Sequence, residues 1–410
     1  SYKITKLKYK DYGVEKEVPI KAVKLDTQFY KTIANYNEWS QIEEGTYQNY
    51  ILTGDIDYAN AGLNPKKDVT LAKLEGNNHK IFSSDTNLVL SGSIIYQVYD
   101  EINDIIFSDL SIDYTGTDTY NGVIDRNNGT IDNCQFNNIE VIAEKANYIG
   151  CVGYSSGTIR NIKLDNIFIH GKSYVGGLVG YQTSVTISNI EITNAEVIGT
   201  STNVGGVVGY GNYANNTNVN VKNSTITSNE NKVGGLIGYA NSCHLNNCYV
   251  IDSTIQAKTG YAGGLIGHQN YYNITNSYVQ NSDILSEQNY AGGLTGYKNG
   301  GYITTSYVKD SNVQGKTSYI GGIIGYLNAG GYISKSSVQN LNIGSQEYSS
   351  TSYLGGLVGC VNNGSVYLSY AENSNIYGGS RIGGIAGYLN VGSIYRNYNN
   401  TILNGDSKVG

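Results

Sequence analysis

The sequence predicts an all-β protein: a right-handed parallel β-helix, a solenoid of about 29 residues per coil, with a small N-terminal α/β cap. Three observations carry this prediction. A glycine-rich segment recurs along the chain, a column of Asn and Asp recurs with the same period, and apolar and polar residues alternate between them. Like residues at like positions are typical of stacked coils. Right-handedness follows from the general preference of parallel crossover connections.

The glycine-rich segment has the form YVGGLVGY, and similar copies recur between Tyr148 and Tyr388. The column of first glycines, extended by one member at each end, is Gly122, Gly150, Gly176, Gly205, Gly234, Gly263, Gly292, Gly321, Gly355, Gly383 and Gly410. The intervals are 28, 26, five times 29, 34, 28 and 27 residues. Because the column stops in mid-repeat, we expect a piece of a longer protein, truncated at its C-terminal end.

A second column holds Asn or Asp three residues before a β-branched residue. Its members are Asp109, Asn138, Asn166, Asn194, Asn223, Asp252, Asn281, Asp310, Asn340, Asn373 and Asn399. Asn and Asp tolerate the left-handed backbone of a solenoid corner, and stacked amides can hydrogen-bond from coil to coil. We therefore expect a polar ladder whose members lie one strand separation, about 4.8 Å, apart.

The residues around this ladder alternate in polarity with the period of two that strands have. Positions two and four before the ladder and three after it are apolar or small, as in Phe136, Cys134 and Val141, and should face the core. The position three before the ladder, as in Gln135, should face outward. Each coil should thus contain about three short strands: the glycine-rich strand and one strand on each side of the ladder.

The N-terminal residues lack the repeat, and we expect a small α/β cap over residues 1–50 before a solenoid over residues 51–410. The open end of a solenoid exposes backbone edges and core, so it must be covered. Within the cap, Asp26–Ile42 has a helix-like spacing of apolar residues, with Asp26 and Asn37 as the predicted N-caps.

Composition excludes several classes of function. The formal charge is −6 and the repeats carry no basic stripe, so nucleic acid is not expected as a partner. No run of 18 apolar residues is present, so no membrane insertion is expected. The 5 cysteines have no CxxC spacing and should be small core residues. We expect a monomer with no cofactor in this chain.

Aromatic residues supply the candidate binding surface. The candidates are an outward row, Tyr249, Tyr278 and Tyr307, and a row that precedes the glycine pairs, Tyr261, Tyr290 and Tyr319. A row of amphipathic rings can bind the faces of glycans or a protein partner. Stacked rings can equally stabilise neighbouring strands, and the sequence leaves both roles open.

A search for catalytic residues finds no convincing constellation. The histidines lack the HExxH spacing of a zinc peptidase, and no serine lies in a GxSxG elbow. His268 replaces the last Tyr of a glycine-rich copy and should be structural. Glu140 and Glu196 share an outward column with Phe168 between them, a spacing that a polysaccharide-cleaving carboxylate pair could use, although a solvated face is the favoured interpretation.

Other charged residues are expected to form ion pairs between adjacent coils. The predicted pairs are Arg160 with Asp132 and Lys163 with Glu191. Pairs of this kind contribute about 0.2 to 1 kcal/mol to stability and no chemistry.

The repeated GGLVGY element resembles the GLUG motif of large secreted and wall-attached bacterial proteins. The order NEWSQI, NYILTGDIDYA, LAKLEGNNHKI and then these repeats resembles the non-catalytic N-terminal region of the immunoglobulin-A protease family of zinc metallopeptidases. The resemblance covers nearly the whole chain. It implies an extracellular location at a bacterial cell surface and zinc only in a downstream catalytic domain.

The resemblance favours a non-catalytic spacer and substrate-recognition domain of a wall-attached metalloprotease, whose partner would be a host glycoprotein such as an immunoglobulin, or a glycan. Two alternatives stay open: an adhesin stalk with no protease attached, and a polysaccharide-active β-helix enzyme. An HExxH segment after Gly410 would favour the first interpretation, and further repeats with a wall-sorting signal would favour the adhesin.

Overall fold

Each sequence repeat forms one coil, and each coil pairs in parallel with the coils before and after it. The computed structural model describes residues 6–11, 14–19, 30–43, 45, 47–62, 65–117, 119–348 and 350–410. Over these residues the protein is an all-β parallel solenoid of about 12 turns, with about 29 residues per turn and almost no helix. The prediction of a parallel β-helix is confirmed.

The first strands are irregular in length and spacing. They are Lys6–Asp11, Val14–Pro19, Tyr30–Ile33, Asn49–Leu52, Ile56–Asp57, Val69–Glu75, Lys80–Phe82, Val89–Leu90, Ile95–Asn103 and Ile106–Asp113. The first two form an antiparallel hairpin. Long strands that bend at corners follow, together with short ones, and the strands are Ile124–Asn127, Thr130–Asp132, Gln135–Ile149, Val152–Ser155, Thr158–Gly176, Val179–Thr183 and Thr186–Gly199.

The central coils are the most regular. Their strands are Val204–Gly205, Val208–Asn212, Asn215–Lys222, Thr225–Ser228, Val233–Gly234, Ile237–Asn241, His244–Asn246, Tyr249–Ile251, Thr254–Ala257, Ala262–Gly263, Ile266–Asn270, Ile274–Thr275, Tyr278–Gln280, Asp283–Ser286, Asn289–Gly292, Thr295–Asn299, Tyr302–Thr304, Tyr307–Lys309 and Asn312–Gly315. The last coils comprise Ser318–Gly321, Ile324–Asn328, Gly331–Ser334, Ser337–Gln339, Asn342–Gly344, Ser352–Gly355, Val358–Tyr367, Tyr370–Gly383, Ala386–Tyr395 and Tyr398–Val409. The 34-residue interval contains the short 3-10 helix Gln346–Tyr348.

A central coil contains five short strands rather than the expected three, as the strands from Val233–Gly234 to Thr254–Ala257 show. The two extra divisions are bends at the glycine pair and at a second Asn column. This second column lies five residues before the predicted ladder and has left-handed φ of 50 to 56°. Its members are Asp104, Asn133, Asn161, Asn189, Asn218, Asn247 and Asn276.

The predicted ladder marks a corner as expected. Its members from Asp109 to Asn373 all have a left-handed φ of 48 to 57°. Nδ2 of Asn138 donates to Oδ1 of Asp109 at 2.8 Å, and Nδ2 of Asn223 donates to Oδ1 of Asn194 at 2.6 Å. The strands on both sides of the central ladder residues pair in register, so these residues lie in line.

Asn399 does not belong to the ladder, contrary to the prediction. Its register partner is Ala371, because the strand pairing shifts by one residue at Asn373. The interval from Asn373 to Asn399 is 26 residues, too short to repeat the corner. The last coil therefore crosses this position inside the continuous strand Tyr398–Val409.

The inward columns form one continuous core, as the alternation predicts. Four buried serines replace apolar residues in one column: Ser277, Ser306, Ser336 and Ser369. The Ser306 hydroxyl accepts the backbone N–H of Ser277 at 3.2 Å and donates to the carbonyl of Thr304 at 2.9 Å. Serine is tolerated in this core because its hydroxyl satisfies backbone groups at a corner.

The described part of the predicted cap contains one short helix, Tyr36–Ser40, instead of a helix over Asp26–Ile42. Tyr30–Ile33 forms a strand that pairs in parallel with Asn49–Leu52, and this pairing removes these residues from the helix. Residues 26–29, with the predicted cap Asp26, lie outside the described residues. The domain boundary near residue 50 stays a prediction.

The helix N-cap is Asn35, not Asn37, because the Asn35 side chain accepts the N–H of Glu38 at 3.2 Å. Trp39 anchors the helix to the first coils. Its ring is fully buried, and Nε1 donates to the hydroxyl of Tyr58 at 2.9 Å.

All five cysteines are buried and free, which confirms their assignment as core residues. Burial raises the pKa of the Cys248 thiol to about 12, so this thiol stays protonated at neutral pH. In the part of the chain that the structure describes, no helix is both long and apolar enough to cross a membrane.

Candidate binding surfaces

Three outward tyrosines on consecutive coils form a surface that we call the tyrosine face: Tyr249, Tyr278 and Tyr307. The strands pair in register at all three positions. The ring centroids of Tyr249 and Tyr278 are 5.0 Å apart, and those of Tyr278 and Tyr307 are 4.7 Å apart, with interplanar angles of 15° and 4°. The outward neighbours on the same strands are Ile251, Gln280 and Lys309.

Ring stacking determines which parts of the tyrosine side chains a partner can contact. Between two stacked rings both faces are covered, so the middle ring of Tyr278 presents only its edge and hydroxyl. Nζ of Lys222 lies 5.5 Å from the centroid of the Tyr249 ring. After Tyr307, which is 36% exposed, the column continues with the small residue Ser337. The surface is therefore a flat strip of ring edges suited to a protein partner more than to a sugar ring stacked between tyrosines.

The second predicted row, Tyr261, Tyr290 and Tyr319, has a different environment. The rings stack at 4.9 and 5.1 Å and are half-buried. They also pack edge-on against the last tyrosines of the glycine-rich strands, for example Tyr290 on Tyr297 at 5.7 Å and Tyr319 on Tyr326 at 5.2 Å. Burial, with the neighbouring tyrosines, raises the pKa of Tyr290 to about 12. The row and the last tyrosines of the glycine-rich strands together form a double row that packs the corners of successive coils against each other. Among the described residues, no ring contact joins this double row to the tyrosine face.

His268 belongs to the same double row. It is in register with Tyr239 and Tyr297, and its ring lies 4.9 and 4.7 Å from theirs. Burial lowers the pKa of His268 to about 4, so the imidazole is neutral at physiological pH. The prediction that His268 is a structural substitution in the column agrees with this geometry.

Glu140 and Glu196 line one shallow groove, with Phe168 in register between them. Two strand separations place their backbones about 9.6 Å apart. The phenyl ring of Phe168 occupies the column position where an inverting hydrolase needs a water molecule. The hydroxyl of Ser111 also donates to Oε2 of Glu140 at 2.5 Å. This arrangement does not favour a catalytic pair.

The predicted ion pairs are only partly formed. Nη2 of Arg160 lies 2.7 Å from Oδ2 of Asp132, as predicted. Glu191 instead contacts Lys222, with Nζ 3.5 Å from Oε1, although Lys163 is its register partner. Lys222 lies diagonally across from Glu191 on the next coil, and its long side chain brings the ammonium group to the carboxylate. Within the described residues no group of three or more His, Cys, Asp and Glu is arranged to hold a metal ion.

A cleft that the sequence did not predict lies where the irregular first coils meet the regular ones. Its volume is about 760 Å³. It is lined by Lys67, Asp68, Thr70, Ser91, Gly92, Tyr96, Tyr114, Thr119, Tyr120, Asn121, Asp125 and Arg126. We call this surface the polar cleft.

Three buried polar atoms in the polar cleft have no hydrogen-bond partner among the described residues: Oδ1 of Asn121, Oδ1 of Asp125 and Nε of Arg126. Asn121 is 3% exposed and Asp125 is 7% exposed. Burial and the nearby carboxylate of Asp68 raise the pKa of Asp125 to about 8. The guanidinium of Arg126 lies 4.5 Å from the ring centroid of Tyr120 and 5.4 Å from that of Tyr96.

A sequence signal for the polar cleft does exist. The segment YNGVIDRN occupies the place of a glycine-rich copy, with Asp125 where later coils have the glycine Gly153 and Arg126 in register with Tyr154. Asp125 and Arg126 thus place two charged residues in adjacent columns that hold Gly and Tyr in later coils. The partners Asp68 and Tyr96 come from earlier coils without a clear repeat, so no periodic signal connects them.

The comparison with solved structures found 11 matching chains, among them the following two. One is a candidate immunoglobulin A1 protease from Bacteroides ovatus, 16% identical, covering 89% of this chain and 84% of that chain, with a TM-score of 0.32. The other is the A-module of the mannuronan C-5 epimerase AlgE4 of Azotobacter vinelandii, 10% identical, covering 83% and 88%, with a TM-score of 0.27.

At these identities and TM-scores neither likeness identifies a function for this chain. No protein-family model matches the sequence, and no curated protein matches it.

Proposed function

We propose that this chain is a non-catalytic spacer and recognition domain of a secreted bacterial surface protein, and that it grips a host glycoprotein through the tyrosine face. The observation that carries the proposal is the flat, solvent-facing strip of Tyr249, Tyr278 and Tyr307 on the most regular coils. The resemblance of the sequence to immunoglobulin-A proteases suggests a wall-attached metalloprotease as the parent and immunoglobulin as the glycoprotein.

The composition of the strip suits a protein partner. Tyrosine edges offer apolar area and hydroxyl groups at a small cost in side-chain entropy, and Tyr is enriched among residues that dominate protein interfaces. Ile251 adds apolar area beside Tyr249, while Lys222 and Lys309 place positive charge near the strip. Because the rings are already held by stacking, little order is lost on binding.

An adhesin stalk without a protease is the alternative that the same surface would serve. Both alternatives use the chain as a rigid extended support, so they differ in the rest of the parent protein and not in this surface. An HExxH segment in the parent would favour the protease.

The test is the binding of immunoglobulin A to the double variant Tyr278→Ser/Tyr307→Ser, measured by surface plasmon resonance. We expect the loss of two aromatic anchors to weaken binding by more than about 2 kcal/mol, roughly thirtyfold in Kd. The matched control is Tyr302→Ser/Tyr332→Ser, which removes another outward stacked pair whose centroids are 5.2 Å apart. The control should bind like the wild type.

Far-UV circular dichroism should show an unchanged fold for both variants, because outward strand positions accept polar residues, as Ser337 does in the tyrosine column. Unchanged affinity of the first variant would remove the tyrosine face from the proposal. Failure of the wild type to bind immunoglobulin A would remove this glycoprotein as the partner.

A further inference from the structure

We propose that the polar cleft binds an uncharged saccharide through Asn121, Asp125 and Arg126. This inference is independent of the tyrosine face, because the two surfaces share no residue. It rests on the size of the cleft, on its unpartnered buried atoms and on its charged groups of both signs.

The size and walls of the cleft indicate an organic ligand instead of a metal ion. A volume of about 760 Å³ lies within the range of small-molecule sites, about 300 to 1,000 Å³, and far exceeds the space that an ion needs. Tyrosine rings line it, with Tyr96 on the rim at 37% exposure. Aromatic side chains give such a site an apolar wall against which the C–H face of a sugar can pack.

The unpartnered atoms define the hydrogen bonds that the ligand must make. Oδ1 of Asn121 and Oδ1 of Asp125 need donors, and Nε of Arg126 needs an acceptor. Leaving such a buried group unsatisfied destabilises the unbound protein, so a ligand that satisfies all three gains affinity. Adjacent hydroxyl groups of a sugar donate and accept at once, and they match this set.

The cleft contains charged groups of both signs. Lys67 and Arg126 are positive and Asp68 is negative, with Asp68 held by the hydroxyl of Ser93 at 3.0 Å. The raised pKa of Asp125, about 8, leaves this carboxyl largely protonated at pH 7, so it donates as well as accepts. A charged ligand would lie close to a like charge, whereas hydroxyl groups bond to every group present.

The experiment is isothermal titration calorimetry of the complete chain with four defined probes: maltotriose, mannotriose, N-acetyllactosamine and trigalacturonate. We expect at least one of the three neutral probes to bind with a Kd between about 10 µM and 1 mM, corresponding to a modest binding energy. Trigalacturonate should bind at least tenfold more weakly than that probe.

The decisive variant is Asp125→Leu, which removes the buried carboxyl and keeps the branching of the side-chain heavy atoms. Saccharide affinity should fall at least tenfold, while the loss of the hydrogen bonds that Asp125 makes with Ser93 and with the backbone of Gly122 should lower Tm without preventing folding. Tyr96→Ala on the rim gives a second measurement that does not disturb the core, and it should weaken binding at least threefold. Tyr278→Ser/Tyr307→Ser should bind the saccharide like the wild type.

Three outcomes would overturn the inference: no binding of any neutral probe, tighter binding of trigalacturonate than of every neutral probe, or wild-type affinity in both cleft variants. Because these measurements do not involve immunoglobulin A, failure here leaves the proposal for the tyrosine face standing, and the reverse also holds.

Discussion

At the scale of single residues, Lys298 shows how strongly a repeat controls the position of a side chain. Its side chain is fully buried, in a column where the next coil has Leu327. Nζ donates to Oε1 of Gln269 at 2.7 Å and to the carbonyl of Tyr272 at 2.9 Å. Burial lowers the pKa of Lys298 to about 7, against 10.5 for an exposed lysine.

This shift predicts a pH dependence of stability. Between pH 7 and 10.5 the unfolded chain binds a proton at Lys298 that the folded chain does not, so the free energy of unfolding should rise with pH in this window. Below pH 7 both states are protonated and the contribution is constant. Urea unfolding at pH 7.0 and 9.5 should therefore show a larger increase for the wild type than for Lys298→Leu, with a difference of at least about 1 kcal/mol.

The matched control for this effect is Lys258→Leu, which removes an exposed lysine and should keep the wild-type slope. An equal slope in the wild type and in Lys298→Leu would contradict the lowered pKa of Lys298.

At the scale of the strand, the glycine pairs are fixed by the approach of the next coil. A Cβ added at Gly293 would lie 2.1 Å from the carbonyl oxygen of Gly322 and 2.8 Å from Cγ2 of Val308. The same contact recurs at Gly264, whose Cβ would lie 2.1 Å from the carbonyl oxygen of Gly293. The column is therefore glycine because the backbone of the following coil occupies the place of a side chain.

The variant Gly293→Ala should be strongly destabilised, because two backbones must separate across a continuous sheet. We expect a loss of at least about 3 kcal/mol in the free energy of unfolding, or failure to fold. Gly260→Ala is the control, since its Cβ would meet only Cβ of Asn231, at 3.3 Å, and it should stay within about 0.5 kcal/mol of the wild type. Thermal unfolding followed by circular dichroism compares the two, and equal Tm values would refute the close-approach argument.

At the scale of the whole molecule, the solenoid is a series of coils that each contact their neighbours in one register. The backbone pairings of the central coils repeat position by position, from Val204 with Val233 to Ala262 with Ala291. Stability in such an architecture is approximately a sum of coil and interface contributions. Length should therefore be adjustable by whole coils, as a spacer requires.

Deletion of residues 235–263 tests this, because it removes one complete coil of 29 residues and joins Gly234 to Gly264. The shortened protein should fold with one cooperative transition, and small-angle scattering should give a maximum dimension about 5 Å smaller. Deletion of residues 235–249, about half a coil, should prevent folding because it places core residues on the outside. Equal behaviour of the two deletions would contradict the modular description.

The class of fold, the coil length, the inward columns and the corner ladder could all be predicted from the sequence. Each of these properties is set by a local pattern, and repetition averages out the exceptions that make a single segment ambiguous. Two wrong predictions concern the end of the repeat and the segment before it, where this averaging does not apply. Asn399 was included because its residue type fits the column, although its spacing does not, and the helix predicted over Asp26–Ile42 came from a segment without a repeat.

Most contacts between side chains of different coils could not be predicted and are visible only in the folded protein. It showed that the rings of the tyrosine face cover one another, that Lys298 is enclosed, and that Asp68, Asn121 and Asp125 line one cleft. The three cleft residues lie in coils of unequal length, where the register between coils does not follow from a fixed period. The physical reason is that a periodic sequence specifies which way each residue points, whereas rotamers, burial and charge contacts depend on the neighbouring coils that pack against it.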